Sequence, residues 1–372
     1  AGVGVFLGGF ILDLWATTYP TDAPFGLKGW QVAFMIVGMP GVLLAGWIAT
    51  LREPVRGISE GLVAEKHPAP FKVLGRELLS IIPPLNLLGL LGQRRSLVVN
   101  MTAAIISIAA AYFLVFLTGS VAQWVAISIG AYATFSWAQS LKLRDPVTFG
   151  MMFRSKSFVY LCLAFPMNSF VGFGAGFWIA PLLMRLHDVA PTEVGLYLGL
   201  SVAVGGFTGI TLGGVCADYL KTKFPSGRLI LGYFTILGTI PFLLLVIYSD
   251  NLVHAFWFNF VLMVLASSAQ GVPHSTISDL VLPRMRAVAS AFYILMSTIL
   301  GLALGPYFIG LMSDMFQAGG MNQAESLRTA IAVSMLALIP ALVFMALAQR
   351  HLPIDESTRL QRARELGESV GG

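Results

Sequence analysis

Charge is what this sequence has least of. Only 11% of its 372 residues are Asp, Glu, Lys or Arg, against roughly a quarter in soluble domains. So little charge cannot clothe a water-facing globule, and the deficit points to a membrane protein. Cysteine is also sparse, with Cys162 and Cys216 each inside an apolar run. That placement predicts two buried, inert thiols and excludes a disulfide framework or a cysteine metal cluster. The five histidines, His67, His187, His254, His274 and His351, fall in separate segments. HExxH patterns, phosphate-binding loops and clustered acids are missing, so hydrolytic or metal chemistry lacks its constellation. No cofactor, metal or nucleic-acid partner is implied. Also missing are an initiator Met, a basic leader and a cleavage site. The opening AGVGVFLGGF is therefore read as starting partway into a longer protein, inside a helix, and not as a signal peptide.

What the chain does have is apolar length, with 56% hydrophobic residues. Ten stretches approach the roughly 20 residues that a bilayer requires: 1–17, 31–51, 97–117, 121–140, 157–183, 194–216, 229–248, 254–278, 287–311 and 327–349. Backbone groups cannot go unpaired in lipid, so these spans are expected to be helices, and the fold class is all-α and polytopic. The segment 81–92, IIPPLNLLGLLG, is too short to span and is broken by Pro83–Pro84. It is expected to lie on the surface or to be re-entrant.

Basic residues test the topology. With ten spans, only Lys28, Arg185 and Arg328, of 23 Lys and Arg, fall on one side. The other side is thus predicted to be cytoplasmic, and it holds both ends of the chain. The tail 350–372 is predicted to be a small cytoplasmic helix or disordered.

Small residues recur in the spans, as in GVGVFLGG (2–9), VGFGAG (171–176), GLSVAVGGFTGITLGG (199–214) and GLALGP (301–306). They let helices approach closely and slide; plain packing is the alternative for any single glycine. Prolines 40, 166, 181, 241, 273 and 306 free carbonyls and kink helices. Polar residues at depth are few. Asn168, between Pro166 and the 172–176 glycines, is a candidate for binding, with an interhelical hydrogen bond as the alternative. Gln270 and His274 share a helical face, and with Asn259 they could line a cavity. His274 is a candidate proton carrier or a satisfied structural histidine. Phe173, Phe177, Trp178, Trp257 and Tyr293 could shape an amphipathic pocket or face lipid.

The end of the sixth span, GGVCADYLKTK (213–223), resembles the signature between the eighth and ninth core helices of the major facilitator superfamily. GVFLGGFI (4–11) resembles the fifth core helix, and GWQVAFMIVGMPGVLLAGWIATLREPVRG (29–57) the sixth and its exit. VLPRMRAVASAFYILMSTILGLALGPYFIGLMSD (281–314) resembles the eleventh. The REP-x-RG exit and the RA…LGP…SD string resemble the Spinster-like branch.

The resemblance implies a major facilitator-like helical bundle with an incomplete N-terminal half and two extra helices between the halves. Residues 1–51 would hold core helices five and six, 52–96 a cytoplasmic linker, and 97–140 the extra pair. A second linker (141–156), a C-terminal six-helix bundle (157–349) and the tail (350–372) would follow.

The resemblance also implies residue roles. Gly214 matches the close-packing glycine and Asp218 the gating acid, which fits an anion at a helix start. Lys221 matches the basic part loosely, and Arg284 and Arg286 are possible partners of Asp218 or positive anchors. The implied function is a secondary transporter, not an enzyme, that moves a small organic or amphipathic, lipid-like solute by alternating access. It would be proton-coupled and monomeric, in a bacterial inner membrane among lipids. No proton-coupling residue carries over, because core helices one to four are missing. The extra pair raises a proton-coupled peptide transporter as the rival, and an integral membrane enzyme or a channel as more distant ones.

Overall fold

The computed structural model describes residues 2–20, 22–52, 69, 71, 75 and 93–368. Most of the 52–96 linker, including the apolar 81–92 stretch, lies outside the described residues. Among the described residues the chain is all helix and turn. The long helices are α1 (Gly2–Thr18), α2 (Gly29–Ala49), α3 (Arg94–Thr118), α4 (Val121–Arg144), α6 (Lys156–His187) and α7 (Pro191–Lys223). They continue with α8 (Gly227–Ile247), α9 (Leu252–Asp279), α10 (Pro283–Ala318) and α11 (Gln323–Ser357). Two short helices, α5 (Pro146–Phe153) and α12 (Arg359–Glu365), lie at one end of the bundle.

Eight of these helices are long and apolar enough to cross a membrane by length and composition. Ten spans were expected. The two that fall short are α1, with 17 residues, and α4, whose Gln123, Ser128, Thr134, Ser136, Gln139 and Ser140 dilute its apolar content. Large apolar side chains stand on the outside, such as Phe34 at 75% exposure and Phe207 at 74%. In water such surfaces would drive association, whereas in lipid they are the solvent-matched face of a multi-pass membrane protein.

Local sequence sets the breaks. Asp145 caps α5 ahead of Pro146, its carboxylate accepting from the Thr148 N–H at 2.9 Å. Asn251 caps α9, and Asn322 caps α11. Each such cap satisfies orphan N–H groups and is worth about 1 kcal/mol. Pro191 starts α7, where its missing N–H costs nothing. Two helices widen to π geometry at small-residue stretches, α7 at Ser201–Gly205 and α10 at Ser297–Ala303.

α6 is the spine. It packs against α11 and α10 and buries Phe158, Leu161, Leu182 and Leu183 completely. Two glycine-mediated contacts hold the bundle together. In α7, Gly205, Gly209 and Gly213 approach α9 in register. A Cβ on Gly209 would lie 2.3 Å from the Val264 carbonyl oxygen, and one on Gly213 would lie 2.0 Å from that of Ser268. On the other side of the bundle, a Cβ on Gly305 of α10 would lie 2.3 Å from the Phe170 carbonyl oxygen of α6. Only glycine allows these approaches.

α1 runs along the first part of α7. It joins α2 through a small separate core of Ile11, Val32 and Ala33, and the Trp15 indole donates to the Leu27 carbonyl at 3.0 Å. The α3–α4 hairpin closes on Asn100, which is fully buried. Asn100 donates to Ser136 Oγ and Gln139 Oε1 and accepts from the Tyr132 hydroxyl at 2.6 Å.

The thiols divide. Cys162 is buried on α6, whereas Cys216 is exposed. The expectation of two buried thiols fails at Cys216 because the inward face of α7 there belongs to Gly213 and Ala217, four residues apart.

Candidate functional site

The helix ends that carry most of the basic residues meet in one polar assembly. At its centre the Arg228 guanidinium, at the start of α8, donates to Asp279 Oδ2 at 2.6 Å and lies 3.5 Å from Asp218 Oδ1. Lys221 donates to Glu356 at 2.6 Å and stands 3.5 Å from Asp279. Arg359 of α12 donates to the Asp279 main-chain carbonyl at 2.9 Å. Helices α7, α8, α9 and α12 are thus tied together through Asp279 and three bases, and α11 joins through Glu356 on Lys221. The Arg228 side chain is 17% exposed and that of Asp218 78%. The Arg228–Asp279 pair is therefore the strong member, and Asp218 contributes a screened, surface-type contact.

A second knot lies beside the first. Arg284, where α10 begins, donates to Asp145 Oδ2 at 2.9 Å and to Glu368 Oε1 at 2.6 Å. Burial works to raise the Asp145 carboxyl pKa. The Thr148 hydroxyl and N–H, with Arg284, outweigh that and hold it below the usual carboxylate value. The Arg284 hydrogen bond likewise lowers Glu368. Behind them Asp355 accepts from the Ser155 hydroxyl at 2.8 Å and the Ser157 N–H at 2.9 Å, fixing the end of α11 on the start of α6. The tail helix α12 is docked, with Ala363 fully buried and Leu366 against Gly150.

The residues singled out from the sequence are distributed as follows. Of the gating set, Asp218 and Lys221 fall in the first knot. Arg284 sits in the second, paired with Asp145 and Glu368, and the Arg286 Nε is buried without a hydrogen-bond partner. The close approach expected at Gly214 falls one residue earlier. Gly213 meets Ser268, while a Cβ on Gly214 would touch nothing within 4 Å.

Asn168 lies on one stripe of α6 with Gly172 and Gly176, both exposed and with open space where a Cβ would stand. Phe173 on the same helix is 43% exposed and Phe177 61%. Trp178 is half-buried and bridges to α10, its indole donating to the Pro306 carbonyl at 2.8 Å. His274 and Tyr293 come together edge to face, with ring centroids 5.0 Å apart. Tyr293 is buried, whereas Gln270 and His274 are exposed. Asn259 is 2% exposed and sits three turns from Gln270 on α9. Trp257 is 64% exposed.

Sequence reasoning passed over Arg228, Asp145, Glu356 and Glu368 as partners. Arg228 follows the α7–α8 turn directly and Asp279 is the lone acid ending α9, so their pairing had a signal. The tail carboxylates had none.

No family model matches the sequence. The chain is 24% identical over 200 residues to an MFS-type efflux pump of Mycolicibacterium smegmatis, covering 54% of this chain and 46% of the pump. It is 30% identical over 175 residues to protein spinster homolog 1 of Homo sapiens, covering 43% of this chain and 33% of that protein. The chain therefore spans between a third and a half of the length of these curated relatives. Among solved structures, a bacterial homolog of the human lysosomal transporter Spinster, in an inward-facing and unoccupied conformation, superposes with a TM-score of 0.52. The match has 21% identity and covers 96% of this chain and 66% of that one; it shows the shared fold.

Proposed function

We propose, for a chain that resembles major facilitator transporters and their Spinster-like branch in sequence and in fold, that it is the working part of a secondary transporter. Its solute is a small organic or amphipathic molecule, and it works by alternating access. The observation that carries this reading is the pairing of two features. One is an ion-paired helix end centred on Arg228 and Asp279. The other is an open stripe of Asn168, Gly172, Phe173, Gly176 and Phe177 on the same bundle.

Ion pairs that close one end and can be broken give a two-state gate. A stripe of glycine and aromatic side chains gives a sliding, weakly polar wall. The basic end is the cytoplasmic end, by the distribution of Lys and Arg. Asp218, Lys221, Arg228 and Asp279 latch that end. Asn168, Phe173, Gln270 and His274 face the solute path, and Tyr293 backs His274. The scarcity of charge along this wall favours an amphipathic solute over a strongly charged one. His274 is the candidate for proton coupling on the described part of the path.

The test is labelling of Phe177→Cys in a background where Cys162 and Cys216 are replaced by Ala. The protein is in proteoliposomes, with and without a panel of amphipathic solutes. Protection by one or more solutes, saturating with concentration, supports the path. Labelling that no solute alters contradicts it.

A further inference from the structure

Away from the ion-paired end, α4 and α10 do not close on each other. A crevice of about 460 Å³ runs between them, lined by Gly130, Ala133 and Trp137 on one side and by Phe292, Leu295 and Thr298 on the other. Its walls offer almost nothing polar. The Thr134 hydroxyl donates to the Gly130 carbonyl at 2.7 Å, and the Thr298 hydroxyl to that of Ile294 at 2.9 Å, each within its own helix. An apolar space of this kind does not hold water.

The crevice is bounded at both ends along the helices and half-open at its side. At one end Gln123 donates to the Ala303 carbonyl at 2.8 Å, and Trp124 meets Tyr307 edge to face at 5.4 Å. At the other, Trp137 stacks on Phe292 at 5.9 Å, and Phe292 continues through Phe153 to Phe149. Its lining runs from Gly130 to Trp137, about 10 Å of helix, within the roughly 15 Å depth of one leaflet's hydrocarbon. The space is too narrow for a helix about 10 Å across, but it suits a single acyl chain.

The end beyond Trp137 is positively charged. Lys142 and Arg144 end α4 and are exposed, and Lys142 lies 5.7 Å over the Phe149 ring. Gln139 donates to the Ser96 carbonyl at 2.7 Å. That bond brings the first turn of α3, with exposed Arg94 and Arg95, to the same level. Among the described residues the nearby acid is Asp145, engaged by Arg284 and Thr148, and the Arg144 Nε itself donates to Ser140 Oγ at 3.0 Å.

We propose that this crevice is a resident site for an anionic phospholipid drawn from the bilayer. One acyl chain lies between α4 and α10, and the phosphate headgroup lies among Arg94, Arg95, Lys142 and Arg144. The lipid cements a hairpin whose first helix, α3, buries only Asn100. Basic side chains at a membrane surface each contribute about fivefold to retention of an anionic lipid.

The test is native mass spectrometry of the whole protein after equilibration with equal amounts of phosphatidylglycerol and phosphatidylcholine of matched chains. The wild type is expected to hold one lipid tightly, with phosphatidylglycerol strongly preferred. Lys142→Gln with Arg144→Gln, both on the exposed surface, should lower that preference more than tenfold while a lipid still binds. Ala133→Phe fills the crevice and should lose the tight lipid, with an unchanged size-exclusion profile and helical circular dichroism certifying its fold. Equal retention of the two lipids by the wild type would overturn the proposal. So would an undiminished lipid in folded Ala133→Phe, or a second protein copy crosslinked through position 133. None of these readouts depends on transport.

Discussion

Replacing Gly213 by Ala should damage this protein, and replacing its neighbour Gly214 should not. At position 213 the new methyl would sit 2.0 Å from the Ser268 carbonyl oxygen, 2.5 Å from its Cα and 2.6 Å from its carbonyl carbon. A comfortable carbon–oxygen approach is about 3.3 Å or more, so α7 must retreat from α9 by more than about 1 Å. Backbone atoms cannot yield as a side chain end would. The retreat also loosens Gly209 against Val264, four residues away on the same seam. Overpacking of this kind costs about 1–3 kcal/mol or more, and the better helix propensity of Ala returns at most about 1 kcal/mol. At position 214 the methyl meets nothing within 4 Å, leaving only the propensity gain. Thermal unfolding in detergent, followed by tryptophan fluorescence with size-exclusion as a check, should show Gly213→Ala melting at least several degrees lower. Gly214→Ala should match the wild type or exceed it slightly. A normal melting temperature for Gly213→Ala, or a loss at Gly214, would refute the assigned helix register.

Three further outcomes are expected. Asp218→Asn should change the melting temperature little, because an exposed 3.5 Å contact is worth under about 1 kcal/mol. Arg228→Gln should lower it clearly, and both should slow solute uptake in proteoliposomes; unaltered uptake in both removes them from the gate. Thr148, with Arg284, holds the Asp145 carboxyl below its usual pKa, and Arg284 does the same for Glu368. A depressed acid stabilises above its unfolded value and loses that stabilisation as pH falls through its folded one. The tail should therefore resist trypsin from pH 8 to 6 and pepsin at pH 5, and become a pepsin substrate only below about pH 4; release between pH 7 and 5 would contradict this. Asn100→Ala removes the bonds to Ser136, Gln139 and Tyr132, each such membrane hydrogen bond being worth about 0.6–1.7 kcal/mol. Hydrogen exchange should rise within 94–144 and stay unchanged in α6 and α11.

The bundle was legible in the sequence where the signal is a property of whole segments. Apolar length announced the helices, and the basic connectors marked the end where Arg228, Arg284 and Arg359 now meet. The caps at Asp145, ahead of Pro146, and at Asn322 carry a local signal that the reading of whole spans passed over. Single-residue direction was not legible. In the Gly213–Gly214 pair, two adjacent glycines point about 100° apart on a helix, and composition cannot say which one faces α9. Cys216 was misplaced for the same reason. Long-range partners were hidden as well, because Arg284 finds Asp145 and Glu368 at separations of 139 and 84 residues. The tail read equally as a helix or as disorder until Ala363 and Leu366 found cover. α4 is polar enough to blur its membrane character because Ser136 and Gln139 satisfy Asn100.

The central claim is that this bundle moves a solute across a membrane, and flux measures it directly. The protein in sealed proteoliposomes should take up at least one member of an amphipathic solute panel. The uptake should saturate, respond to an imposed pH gradient, and fall sharply in Arg228→Gln. Uptake that rises linearly with concentration for every solute, indistinguishable from protein-free vesicles, would contradict the account.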